Sequence, residues 1–144
     1  MNFICHINIL YRFGKNLLDD MLKDQQLDMQ QLITILVVHD VPGIFQSQLN
    51  HYLSMDKGNL SKFLKKLEDK KILRRAKSGD KFGHNECYLT EIGEKLVPTL
   101  KETLKDWEML CTRNISPEHL ALFGCVSQKV SDNLTQKTNQ KLSD

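Results

Sequence analysis

Metal-ligand and redox spacings are missing from this chain. Its four cysteines, Cys5, Cys87, Cys111 and Cys125, lie far apart and form no CxxC pair, so neither a zinc ribbon nor a dithiol redox pair is written here. In a reducing compartment four free thiols are expected, most of them buried as small apolar residues. His84 and Cys87 make a lone HxxC with no second pair, so no structural zinc site is expected there. Proline and glycine are scarce, at three and seven, and there is no long polar tract. Disorder is expected only over about the last ten residues. Long apolar runs are absent too. The N-terminal MNFICHINILYRF is interrupted by His6, Asn8 and Arg12, too early for a signal-peptide core or a membrane span. A cytoplasmic protein with no membrane partner is expected. There is no phosphate-binding glycine loop, no HExxH and no nucleophile elbow. Asp40 beside His39 reads as a helix end. No enzyme activity, catalytic residue, cofactor or metal is therefore expected.

What is present is one concentrated block of positive charge. Lys57 to Lys81 holds ten Lys or Arg against three acids, a local balance of +7, in a chain whose total is +2. Everything outside that window sums to −5. Such a field, placed on one helix and the segment after it, is the footprint of a nucleic-acid contact.

Apolar periodicity sets the frame. Phe3, Ile7, Leu10, Gly14, Leu17 and Met21 repeat at alternating steps of four and three, which predicts a first helix over 3–24. Its stripe is longer than a small core needs, so part of it is expected to face another subunit. Asp28 caps a second helix, about 29–40, with Leu32, Ile33, Ile35, Leu36 and Val37 inward. Val41-Pro42-Gly43 stops it. A third helix, about 46–53, turns Leu49, Tyr52 and Leu53 inward. Asp56 caps a fourth helix with Leu60, Phe63, Leu64 and Leu67 on its buried face. Ile72–Lys77 and Asn85–Leu89 read as strands of a hairpin with a long glycine-containing loop. Thr90 caps a fifth helix reaching about Arg113, which Pro98 should kink or delay. Its apolar face is Leu96, Val97, Leu100, Leu104, Trp107 and Leu110. Ser116-Pro117 opens the last helix, with Leu120, Phe123, Val126, Val130 and Leu134 as its stripe. A short helix, a three-residue turn, a basic helix and a hairpin make a winged helix-turn-helix. The fold class is mainly α with a small β wing, in one domain over 1–144. The winged core spans about 28–93, with flanking helices at about 3–24 and 94–140.

These residues resemble the MarR family of bacterial transcription regulators. LNHYLSMDKGNLSKFLKKLEDKKILRR matches the family's apolar spacing at Leu49, Leu53, Met55, Leu60, Leu64, Leu67, Ile72-Leu73 and Arg75. Leu89-Thr90-Glu91-Ile92-Gly93-Glu94-Lys95-Leu96 resembles its LTxxGxxL, and Leu27-Asp28-Met29-Gln30-Gln31 its LTxxQ. The resemblance implies a homodimer built from the first and last helices, with two winged domains on successive major grooves of a near-palindromic operator. It also implies a repressor relieved by a small-molecule effector. DNA contacts are expected from Lys57, Asn59, Ser61, Lys62 and Lys65 of the basic helix, and from Arg75, Lys77, Lys81 and His84 in and around the wing. Asn59 and Lys62 are the base-edge candidates and the other lysines phosphate contacts. An effector pocket is expected from Tyr11, His39, Trp107 and Cys111.

Two departures stand out. The family's glycine at the end of the recognition helix is Lys71 here. Its wing Asp-x-Arg, whose arginine enters the minor groove, is replaced by Asp80-Lys81-Phe82-Gly83. Two alternatives remain in view. One is a thiol-based sensor, because relatives that sense organic peroxides carry a reactive cysteine about one residue from Cys5. The other is a winged-helix adaptor that binds protein instead of DNA.

Overall fold

The computed structural model describes residues 2–141, with side chains as far as Gln136. The chain forms two compact units that divide after Trp107. In the first, α1 (Phe3–Met21) and a 3-10 turn (Lys23–Gln25) lead to α2 (Met29–Asp40), β1 (Ile44–Phe45), α3 (Gln46–Leu53) and α4 (Lys57–Asp69). Then come β2 (Leu73–Lys77), β3 (Asn85–Leu89) and α5 (Glu91–Cys111), whose last residues belong to the second unit with α6 (Pro117–Lys141). The expected order of helices and hairpin is the observed one. Residues 142–144, the end of the expected disordered tail, lie outside the described residues.

Capping chemistry places α2. Asp28 accepts from the Gln31 backbone N–H at 2.9 Å, and Gln31 Oε1 accepts from the Asp28 N–H at 3.2 Å, a reciprocal capping box. The Met29 N–H donates to Asp19 at 2.7 Å, tying α2 to α1. α1 itself ends at Met21, three residues before the sequence predicts. There the chain tightens, and Gln26 takes a left-handed conformation at φ 55°. Leu22, Ile35, Leu49, Leu64, Leu67 and Leu100 are inaccessible and form the centre of the first unit's core.

The burial patterns differ from expectation in places. On α2, Thr34 and Val38 are buried, while Ile33, Leu36 and Val37 are half-buried. Thr34 is tolerated there because its hydroxyl donates to the Gln30 carbonyl at 2.8 Å. Phe63 is only half-buried, and Tyr52 is exposed where an inward position was expected. In the second unit Leu110, Phe123, Val126 and Leu134 are exposed. α5 starts at Glu91 and is continuous through Pro98, so the proline does not delay it.

The sheet is antiparallel with order β1-β3-β2. Cys87 sits mid-sheet, opposite both Ile44 and Arg75. It is the buried thiol; Cys5, Cys111 and Cys125 are exposed, contrary to expectation. Burial pushes the Cys87 thiol up to about 11, which suppresses its thiolate. β1 was not expected. Two residues carry no alternation, and this strand exists because Gly43, at φ +83°, donates its N–H to the Cys87 carbonyl at 2.9 Å.

α4 ends in a Schellman motif. Ile72 N–H bonds the Leu67 carbonyl at 3.0 Å, and Lys71 N–H bonds the Glu68 carbonyl at 2.8 Å. Lys71 is left-handed, at φ 58°. A side chain there costs about 1 kcal/mol relative to glycine. Lys71→Gly is therefore expected to raise stability by about that amount, read as a higher denaturation midpoint at unchanged m. An unchanged or lower midpoint would contradict the strain.

The start of α5 is locked onto the same corner. Thr90 donates its hydroxyl to the Lys71 carbonyl at 2.5 Å, and its N–H bonds the Ile72 carbonyl at 3.0 Å. The Gly93 N–H closes the cap on Thr90 Oγ1 at 3.1 Å.

Candidate nucleic-acid interface

The turn between α3 and α4 is built by a residue that sequence reasoning missed. Asn50 donates to the Met55 carbonyl at 2.7 Å and accepts from the Met55 N–H at 3.0 Å. This side-chain clasp holds Ser54, left-handed at φ 52°, at the head of the turn. Asp56 then caps α4, accepting from the Asn59 N–H at 2.9 Å. Leu60, Leu64 and Leu67 are buried. Lys57, Asn59, Ser61, Lys62 and Lys65 are all exposed, as periodicity required. Their settings differ. Lys65 is paired with Asp69 at 2.7 Å. The Asn59 amide donates to Asp56 at 2.5 Å. Among the described residues, Lys57 and Lys62 hold no ion pair.

Arg75 is not in this exposed set. Its guanidinium donates to both oxygens of Glu68, at 3.1 and 2.8 Å, and to Gln46 at 3.2 Å. The Arg75 pair therefore straps β2 to α4 and α3. Hydrogen bonds from Arg75 hold the Glu68 carboxyl below its ordinary range. The strap is thus complete above the usual carboxylate range and weakens as pH falls through the lowered value.

The wing loop is ordered by its acid. Asp80 accepts from the His84 backbone at 3.2 Å and pairs with the His84 ring. Hydrogen bonds from Ser78 and His84 hold its carboxyl well below the usual range. The His84 ring stacks on Phe45, with centroids 5.1 Å apart. Lys77 and Lys81 are exposed. Arg74, absent from the expected contacts, is exposed on β2 with its guanidinium 4.3 Å from the Tyr88 ring.

Between the wing and α4 lies a cleft of about 540 Å³. Lys57 and Leu60 line it from α4, Gln46 and Asn50 from α3, and Lys77, Phe82 and His84 from the wing. It carries no carboxylate on its walls. Its two lysines, Lys57 and Lys77, give it a positive charge.

The surroundings of the four residues expected to form an effector pocket are these. Tyr11 is exposed on α1. His39 Nδ1 pairs with Glu94 at 2.8 Å, joining α2 to α5. Trp107 donates its indole N–H to the Gly14 carbonyl at 2.9 Å. Cys111 is exposed in the second unit. None of the four lines the cleft. No group of three or more His, Cys, Asp or Glu suited to a metal occurs among the described residues, and no helix among them is long and apolar enough to cross a membrane.

No family model matches the chain, and no curated protein matches it by sequence. Solved structures do. A MarR protein from Peptoclostridium difficile superposes with a TM-score of 0.87 at 18% identity, covering 95% of this chain and 90% of that one. An uncharacterised SlyA-like transcription regulator from Listeria monocytogenes gives 0.85 at 18% identity, covering 95% and 91%. A mutant MarR from E. coli complexed with operator DNA gives 0.77 at 20% identity, covering 86% and 89%. The fold is that of the MarR and SlyA regulators.

Proposed function

We propose that this chain is a MarR-type, sequence-specific DNA-binding transcription regulator, acting as a homodimeric repressor that a small molecule relieves. The observation that carries the DNA reading is the exposed lysine-bearing face of α4, whose Lys57 shares one carboxylate-free cleft with Lys77 of the wing. α4 would enter a major groove with Lys57 and Lys77 flanking one phosphate strand. Asn59 and Lys62, in its first two turns, would meet base edges. Arg75 is assigned a positioning role, holding α4 at a set angle to the wing through Glu68. The homodimer is supported by large apolar side chains left exposed in each unit, such as Phe3, Leu10 and Phe13 on α1 and Leu122 and Phe123 on α6. Soluble monomers rarely expose apolar surface on that scale. An effector would act by binding one spacing of the two recognition helices better than another.

The test is a titration of duplexes selected by the protein from random-sequence DNA, at several salt concentrations. The wild type is expected to bind with a steep salt slope and to prefer a near-palindrome with half-sites about one helical turn apart. Asn59→Ala keeps the backbone bond to Asp56, so the cap of α4 survives. It is expected to lose about 1–3 kcal/mol on the selected duplex and little on random DNA. Lys77→Ala should weaken binding to both alike and lower the salt slope by about one. Equal losses on both duplexes for Asn59→Ala would exclude base reading there. Binding without salt dependence would remove the DNA reading.

A further inference from the structure

We propose that Phe82, at the tip of the wing, is an apolar wedge that enters the minor groove of bound DNA and unstacks a base step. This rests on the DNA-binding reading above and specifies how the wing recognises its partner.

Phe82 is 71% exposed, an unusual position for a large aromatic ring. The loop holds it there. The Ser78 N–H bonds the His84 carbonyl at 2.7 Å, Gly83 N–H bonds the Asp80 carbonyl at 3.1 Å, and Lys77 Nζ donates to the Gly83 carbonyl at 3.1 Å. Asp80 fixes the far side through His84, whose ring is anchored on Phe45. The tip is thus pre-organised, and presenting the ring costs little further ordering on binding.

The surroundings select the partner. Lys81 places its ammonium 5.0 Å from the Phe82 ring centroid, and Lys57 and Lys77 line the cleft that Phe82 also lines. The one carboxylate in the loop, Asp80, is already paired with His84. An apolar plate framed by unneutralised cations fits a partner with anionic edges and stacked flat interiors, which describes duplex DNA. In this reading α4 lies in the major groove, a phosphate strand in the cleft and the wing tip at the adjacent minor groove. No arginine lies between Arg75 and Arg113, so the loop at the wing tip has no guanidinium with which to read that groove; Arg74, back on β2, holds its guanidinium against the Tyr88 ring. Apolar side chains inserted between base pairs are an established alternative, kinking the duplex at steps that unstack readily. TA and CA/TG steps deform most easily and are the expected targets.

The experiment uses the full chain and a duplex selected by the wild type, with 2-aminopurine placed in turn at each step flanking the half-sites. Wild-type protein is expected to raise fluorescence at one step on each side. Phe82→Ala should abolish that rise and weaken binding roughly tenfold to a hundredfold, with the salt slope unchanged because no charge is lost. Phe82→Leu, a second apolar wedge, should keep the rise and most of the affinity. Lys81→Ala should lower the salt slope by about one and leave the rise in place. The exposed position makes loss of folding a poor explanation, and matching thermal melts of wild type and variant would exclude it. If Phe82→Ala binds like the wild type, or the wild type never perturbs a flanking step, the wedge is wrong while DNA binding stands. If the wild type binds no duplex in a salt-dependent way, the parent reading fails, and the wedge with it.

Discussion

Gly93→Ala is expected to lower the unfolding free energy by roughly 3 kcal/mol. A Cβ at this position would sit 2.2 Å from the Ile72 carbonyl oxygen and 3.3 Å from the Leu89 Cβ. The first distance is about 1 Å inside normal contact. The obstacle is backbone, so no rotamer change relieves it. The Ile72 carbonyl cannot retreat cheaply either, because it accepts the Thr90 N–H at 3.0 Å and follows the strained Lys71. The substitution must therefore prise α5 from the corner where α4 ends and β2 begins, and break the cap that Thr90 makes to Gly93. Alanine's better helix propensity returns only about 1 kcal/mol. The measurement is thermal and denaturant unfolding at matched protein concentration, with a fall in Tm on the order of 10 °C expected. A Tm within a degree or two of wild type would show that the corner yields. The wing follows that corner, so DNA affinity of any folded fraction should fall as well.

Leu10→Asp is expected to dissociate the proposed homodimer. Leu10 is 60% exposed on α1 within the single chain, so the change leaves the first unit's core intact. In a two-fold interface each substitution is met twice. Placing a carboxylate in an apolar contact without a partner costs several kcal/mol. Each 1.4 kcal/mol is about tenfold in Kd, so a rise of about a thousandfold or more is expected. Sedimentation should find the wild type dimeric at micromolar concentration and the variant monomeric, with helical content preserved by circular dichroism. A wild type that sediments as a monomer would end the dimer proposal. A variant that sediments with the wild type would remove α1 from the interface. Loss of the dimer should also cut operator affinity steeply, since two linked half-site contacts become one.

Much of the site was legible in the sequence because its cues are local. Asp28, Asp56 and Thr90 cap helices through residues three positions away. The exposure of Lys57, Asn59, Ser61, Lys62 and Lys65 follows from helical spacing against Leu60, Leu64 and Leu67. Lys71 stands out because the resemblance puts glycine there, and the structure shows it left-handed. Burial was less legible: Tyr52 and Phe123 keep the right period yet face solvent in the single chain, because period gives a face and not what covers it.

The sequence by itself determined the main helices, the caps from Asp28, Asp56 and Thr90, and the concentration of charge on α4 and the segment after it, since each depends on neighbouring side chains. Only the tertiary structure decided that Ile44 and Phe45 pair with β3, that Arg75 turns to Glu68 and Gln46, and that Gly93 must lack a side chain. It alone seats Phe82 on the cleft that Lys57 also lines. The partners in these contacts come from distant parts of the chain, as with Arg75 and Gln46, 29 positions apart. No local pattern encodes such a pairing, which forms only when packing of the apolar faces brings the segments together.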